Sequence, residues 1–153
     1  MTEARPSAAT ADPAARRALA AARIVSHPLH AACGLEVLSS ADGRSEIRFA
    51  VNDFTGNVIG TLHGGILYAM ADVAAFMALL SVIPDGLHGV TADIQVSVLR
   101  AAKVGEQVLA RGRVDRVGRT LANMRVEAFV AGPEGERLIG TATVVKSLIP
   151  APY

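Results

Sequence analysis

Apolar and polar residues alternate at a period of two along most of this chain, and one long run does not alternate at all. Ile47, Phe49 and Val51 interleave with Glu46, Arg48 and Ala50, and Ile94, Val96 and Val98 with Asp93, Gln95 and Ser97. Met124, Val126, Ala128 and Val130 interleave with Asn123, Arg125 and Glu127. This repeat predicts half-buried strands. Val108 to Val117 and Leu138 to Val145 predict two more, and Leu35 to Ser39 a short one. Between them Ile66 to Ile83 reads ILYAMADVAAFMALLSVI, a helix apolar nearly all round that must be buried. Three links, Ala102-Lys103-Val104-Gly105, Val117-Gly118-Arg119 and Ala131-Gly132-Pro133-Glu134-Gly135, have the length and turn chemistry of hairpins. The expected order is two strands, one long helix and four strands in meander. That is an α+β architecture, an antiparallel sheet wrapped around a central helix.

The N-terminus is of another kind. Residues up to about Ala11 look like a loose tail; Asp12 can then cap a helix, Pro13 suits its first position, and Ala and Leu sustain it until His27-Pro28 interrupts. The expected organisation is a tail and short helix over 1–26 and one domain over 27–153. The continuous apolar stretch of a secretory signal is missing. The run from Ile66 is long enough to raise a membrane span, but a carboxylate at its centre costs roughly 2.5 to 3.5 kcal/mol on insertion and much of it is alanine. A buried helix is expected instead.

Composition narrows the function classes. Fifteen basic and fourteen acidic residues leave a formal charge of +1, with four Phe, two Tyr and no Trp, so there is no electrostatic footprint for nucleic acid. Arg111, Arg113, Arg116 and Arg119 form a local cluster that suits either a small polyanion or a solvated strand face. Cys33 is the only cysteine, which excludes an internal disulfide and fits a small buried residue in a reducing, cytoplasmic setting. His27, His30, His63 and His88 show no metal-ligand spacing, and neither a metal nor a cofactor is expected.

Asp72 is the only charge between Ile66 and Ile83. A carboxylate among apolar side chains needs a partner, a hydrogen-bond network or a task. Just upstream lie the polar loop Asn52 to Asn57, then Gly60, then His63-Gly64-Gly65, which bring backbone N–H groups to a helix start. His63 reads most simply as a helix-start residue bonded to the loop, with Asn57 as its partner.

Asn57, His63-Gly64-Gly65, Asp72 nine residues after the histidine and GVTAD at Gly89 to Asp93 resemble the hotdog-fold thioesterases of the PaaI-like, phenylacetate-degradation type, over roughly His27 to Ile149. The resemblance implies hydrolysis of acyl-coenzyme A. Asp72 matches the nucleophile or general base, Gly64 the donor to the thioester carbonyl, His63 and Asn57 the residues that shape the site, and Thr91 a hydroxyl that positions water or the carboxylate. Gly65, Leu67 and Tyr68, with Met70 and the Phe54 loop, are candidates for substrate contact. Arg119 leads Arg100, Lys103 and Arg116 for the coenzyme A phosphates. The chemistry is coherent, since an N–H at a helix N-terminus stabilises an oxyanion and a carboxylate can attack the carbonyl or deprotonate water. A hotdog hydratase or dehydratase and a non-catalytic acyl-CoA binding module are the alternatives.

Eight helical residues place Gly64 and Asp72 about 12 Å apart, too far for one carbonyl to touch both. A homodimer with shared sites follows, each site taking Asp72 from the second copy. The resemblance implies the same, with dimers pairing into tetramers.

Overall fold

A computed structural model describes residues 12–152. Its elements are α1 (Pro13–Ser26), α2 (Pro28–Ala32), β1 (Glu36–Ala41), β2 (Arg44–Ala50), α3 (Gly64–Leu80), β3 (Leu87–Val98), β4 (Gln107–Val117), β5 (Leu121–Gly132) and β6 (Gly135–Pro150). All strand pairs are antiparallel, in the order β1-β2-β4-β5-β6-β3. The α+β reading and the hotdog architecture hold, with six strands wrapped around α3.

The expected meander fails at one link. β3 pairs with β6 at the far edge of the sheet, and the chain crosses back before β4 joins β2. The segment from Ala102 to Gly105 is therefore a crossover, not a hairpin. Its backbone is taken by the loop ahead of α3: Leu62 N–H donates to Ala102 O, Val104 N–H to Gly60 O and Gly105 N–H to Val51 O. Turn residues alone could not reveal that competition. The other two links are hairpins as expected.

The inward phase of the alternation supplies the core: Ile47 and Phe49 from β2, Val108 and Ala110 from β4, Met124, Val126 and Ala128 from β5, Ala142 and Val144 from β6. α3 lies on this layer closely because its facing residues are small. Ser45 donates its hydroxyl to Ala74 O at 2.6 Å, and a Cβ built on Gly112 would fall 2.5 Å from the same carbonyl oxygen.

α3 is less enclosed than its composition implies. The sheet covers one side, and α1 covers part of another through the buried Ala20. Gly64, Gly65, Tyr68 and Ala69 remain exposed or half-buried along one stripe that ends at Asp72. α1 itself starts as expected, with Asp12 capping and Pro13 in the first turn, and ends at Ser26. No helix among the described residues is long and apolar enough to cross a membrane.

Candidate active site

The loop before α3 is built by asparagine. Asn52 Oδ1 accepts from the N–H groups of Phe54 and Thr55, and Asn57 Oδ1 from those of Ile59 and Thr61. Asn57 Nδ2 donates to Thr61 Oγ1 at 2.9 Å, so this side chain organises its own turn and is not the partner of His63. His63 is the N-cap of α3: its Nδ1 accepts from Gly65 N–H at 2.9 Å, which leaves the ring proton on Nε2.

That cap decides which donor stays available. The first turn of a helix presents orphan N–H groups. Gly65 N–H goes to the His63 ring, and those of Ile66 and Leu67 go to His63 O. Among the described residues no acceptor meets the N–H of Gly64, and a Cβ built there would touch nothing within 4 Å. The open space belongs to a cleft of about 350 Å³ lined by Asn57, Gly64, Leu67, Leu99, Arg100 and Ile139 among others.

Asp72 opens onto a different cleft, of about 450 Å³. Tyr68, Phe76, His88, Val90 and Thr91 line it, closed on one side by Ile24, Leu29 and His30 of α1 and α2. Thr91 donates its hydroxyl to Asp72 Oδ1 at 2.8 Å, and Lys146 Nζ donates to the same oxygen at 2.8 Å and to Thr91 Oγ1 at 2.7 Å. Asp72 Oδ2 accepts from no group among the described residues. The Asp72 side chain is 31% exposed and that of Lys146 only 2%. Burial pulls the Lys146 ammonium below its usual range, against the opposing pull of Asp72. The neighbouring His88 ring, 5.2 Å from that of Phe76, is also pushed down, by burial first and by Lys146 second.

A β-bulge delivers Thr91. In the β3–β6 ladder Thr91 opposes Lys146 and Asp93 opposes Val145, so Ala92 is an extra residue. Without it the inward phase of Ile94 and Val96 would continue to Ala92; with it the phase shifts and the hydroxyl faces Lys146 and Asp72. Lys146 itself was missed by sequence reasoning. Its signal was its phase, since Ala142 and Val144 share the inward side of β6 and the alternation carries on through a lysine.

The remaining candidates divide. Leu67 is buried beside the Gly64 cleft, Tyr68 lines the Asp72 cleft, and Met70 is fully buried in the core and lines neither. Arg119 is exposed in the β4–β5 turn and lines neither cleft, whereas Arg100 borders the first. Arg111 bridges Glu46 and Glu136, and Arg113 and Arg125 share Asp115, so much of the arginine cluster is an ion-paired strand face. Cys33 is buried and burial raises its thiol.

Residues 59–137 match the Thioesterase superfamily. The chain belongs to that family. A Deinococcus radiodurans protein provisionally named as an esterase is 35% identical over 105 residues, covering 69% of this chain and 68% of its own. Human acyl-coenzyme A thioesterase 13 is 33% identical over 93 residues, 61% of this chain and 66% of that protein. Among solved structures, a thioesterase family protein from Silicibacter pomeroyi superposes with a TM-score of 0.81 at 26% identity, over 92% of this chain and 100% of that one. A point mutant of the phenylacetic acid degradation protein PaaI from Thermus thermophilus gives 0.70 at 30% identity, over 79% and 98%. A hypothetical thioesterase protein from Streptococcus pneumoniae, solved with coenzyme A, gives 0.68 at 27%, over 76% and 89%. This thioesterase-superfamily chain is a thioester hydrolase of the hotdog fold, and the PaaI-like resemblance read from its motifs stands.

Proposed function

We propose that the protein hydrolyses acyl-coenzyme A to free acid and coenzyme A, at sites shared between two copies of the chain. The observation that carries this reading is the division of α3: the unpartnered Gly64 N–H opens onto one cleft, and Asp72, with one carboxylate oxygen unengaged, onto another. The stripe between them is uncovered. A second copy with its α3 antiparallel to the first would bring the donor of each to the carboxylate of the other. β3 is an edge strand with Val90 and Val98 exposed, as are Leu99 and the loop residues Val58 and Ile59, an unprotected edge that a second β3 would cover. Dimers then pair into the tetramers expected from the family resemblance.

In such a site the Gly64 N–H polarises the thioester carbonyl, and Asp72 Oδ2 of the second copy either takes a proton from the attacking water or attacks the carbonyl itself. The negative charge that forms on the carbonyl oxygen sits at the positive end of the α3 dipole. Collapse breaks the C–S bond and expels the coenzyme A thiolate; where Asp72 is the attacking group, water then hydrolyses the mixed anhydride, releasing the acid and restoring the carboxylate. A thiol ionises near 8.5, roughly, so the leaving group requires little acid assistance. His63 and Asn57 hold the donor end, Thr91 holds the carboxylate, and Arg100 is placed for the coenzyme A phosphates. A reducing cytoplasm suits the buried free Cys33.

Thiol release from a panel of aromatic and aliphatic acyl-CoAs tests the reading. Wild type turns over, while Asp72→Asn and Asp72→Ala fall by orders of magnitude as folded oligomers. Tight acyl-CoA binding without thiol release would make the protein a binding module, and loss of the conjugated enoyl absorbance of an unsaturated acyl-CoA without free thiol would make it a hydratase.

A further inference from the structure

We propose that Lys146 is a positioning residue of this hydrolase, holding Asp72 by one carboxylate oxygen so that the other does the chemistry. The inference rests on Asp72 acting as proposed above, and adds a residue and a geometry to it.

Lys146 is placed where a lysine does little for stability. It follows Ala142 and Val144 in the inward phase of β6 and is 2% exposed, a seat that an apolar side chain of similar length would fill without burying a charge. The chain uses lysine sparingly: of its fifteen basic residues only Lys103 and Lys146 are lysines. Arginine, which carries the ion pairs of the outer sheet face, presents a broad planar fork; lysine brings a compact charge on a slender stem. The stem passes Gly89, where an added Cβ would lie 3.2 Å from Lys146 Cδ and 2.7 Å from Leu79 Cδ2.

The ammonium has three donors and three partners. One donor meets Asp72 Oδ1 and one meets Thr91 Oγ1, while the charge stands 5.5 Å from the centre of the Phe76 ring. Thr91 in turn donates a hydrogen bond from its hydroxyl to Asp72 Oδ1, closing a three-membered ring of hydrogen bonds. Both donors converge on the same oxygen. This fixes the carboxylate's rotation and leaves Oδ2 as the oxygen free to meet substrate or water. Because β3 and β6 lock Thr91 opposite Lys146 and the bulge at Ala92 turns the hydroxyl inward, the ring is built into the sheet before any substrate arrives. The other titratable groups at this cleft are Tyr68 on α3, His88 on β3 and His30 on α2.

The experiment measures kcat and KM by thiol release across pH for wild type, Asp72→Asn, Lys146→Met, Lys146→Gln and Thr91→Val, together with NMR of lysine labelled at Nζ, in which two side-chain signals are expected. Lys146→Met should lose about 10- to 100-fold in kcat with KM little changed. The acid limb of its kcat profile should move to higher pH, because a cation beside the carboxylate has gone. In wild type one lysine signal should be protected from solvent exchange, and Asp72→Asn should perturb that signal and spare Lys103. If Lys146→Met does not fold, Lys146→Gln and Thr91→Val carry the test through the same split between kcat and KM. Folded variants with wild-type kcat and an unmoved acid limb would overturn the proposal while leaving Asp72 in place. A wild type that releases no thiol from any acyl-CoA, or an Asp72→Asn that remains active, would overturn the parent reading and this one with it.

Discussion

Gly64 and Asp72 lie eight residues apart on one uncovered stripe of α3, yet they line different clefts. A regular helix separates them by about 12 Å, so the two groups proposed to act on the thioester are divided by the rigid element that carries them. Shared sites predict complementation. Two variants, one lacking the Gly64 donor and one Asp72→Asn, should each be inactive alone. Random reassociation makes half of the dimers mixed, and each mixed dimer has one intact site of two, so activity should recover to about a quarter of wild type. Recovery after denaturation and co-refolding, with none on simple addition of the two activities, is the measurement.

The Lys146–Asp72 pair predicts a pH-dependent stability. Lys146 in the folded chain titrates below its ordinary 10.5, because burial outweighs the pull of Asp72. Between the folded and unfolded values the unfolded chain therefore binds more protons, and stability rises with pH through that window. Asp72→Asn removes the opposing charge and extends the window toward neutral pH. Its melting temperature should climb more steeply with rising pH than that of wild type, over a window that ends at the ordinary lysine value. Lys146→Met should remove the rise. Differences between variants isolate this group from the buried Cys33 thiol, whose raised value contributes with the opposite sign.

The sequence carried the parts of the fold that depend on periodicity and local chemistry. The inward phases of β2 and β5, the strand over Val108 to Val117, the buried run of α3 and the Asp12-Pro13 start of α1 were all legible. What depends on which segment wins a backbone partner was not: the 102–105 link has hairpin-like residues, but the loop before α3 takes its hydrogen bonds. The same division runs through the candidate site. His63, Gly64 and Asp72 stand in one local stretch and could be seen together, whereas Lys146 comes to Asp72 from 74 residues away through a ladder register with a bulge in it.

Gly112 tests how closely helix and sheet must approach. A Cβ at this position would meet Ala74 O at 2.5 Å and Ser45 Oγ at 2.8 Å, and the Ala74 partner is backbone that cannot swing aside. Gly112→Ala should destabilise the fold by about 1–3 kcal/mol as overpacking, read as a lower midpoint in urea with an unchanged slope.

Arg100 and Arg119 separate the two ideas of where coenzyme A lies. Arg100 borders the Gly64 cleft and has one guanidinium nitrogen on Leu138 O, while Arg119 stands exposed in a turn beside neither cleft. Arg100→Gln should raise KM for acyl-CoA about 3- to 10-fold and leave kcat within about twofold, the pattern of a binding contact made equally in ground and transition states. The same change at Arg119 should leave KM near wild type. A reversal of the two results would move the phosphate site to the β4–β5 turn.

The donor role of Gly64 can be tested by deleting one hydrogen. Gly64 is the first residue of α3, where proline is well tolerated because its missing N–H has no helical partner. Proline also requires an extended residue before it, and His63 already has φ −67 and ψ 128. Nothing lies within 4 Å of where a side chain at Gly64 would begin. Gly64→Pro should therefore fold with little change in melting temperature and lose about 10²- to 10³-fold in kcat, the cost of one oxyanion donor. Gly64→Ala is the necessary control, since it adds bulk and keeps the N–H. If Gly64→Ala falls as far as Gly64→Pro, the cleft is being blocked; if Gly64→Pro keeps wild-type kcat, the carbonyl is polarised by some other group.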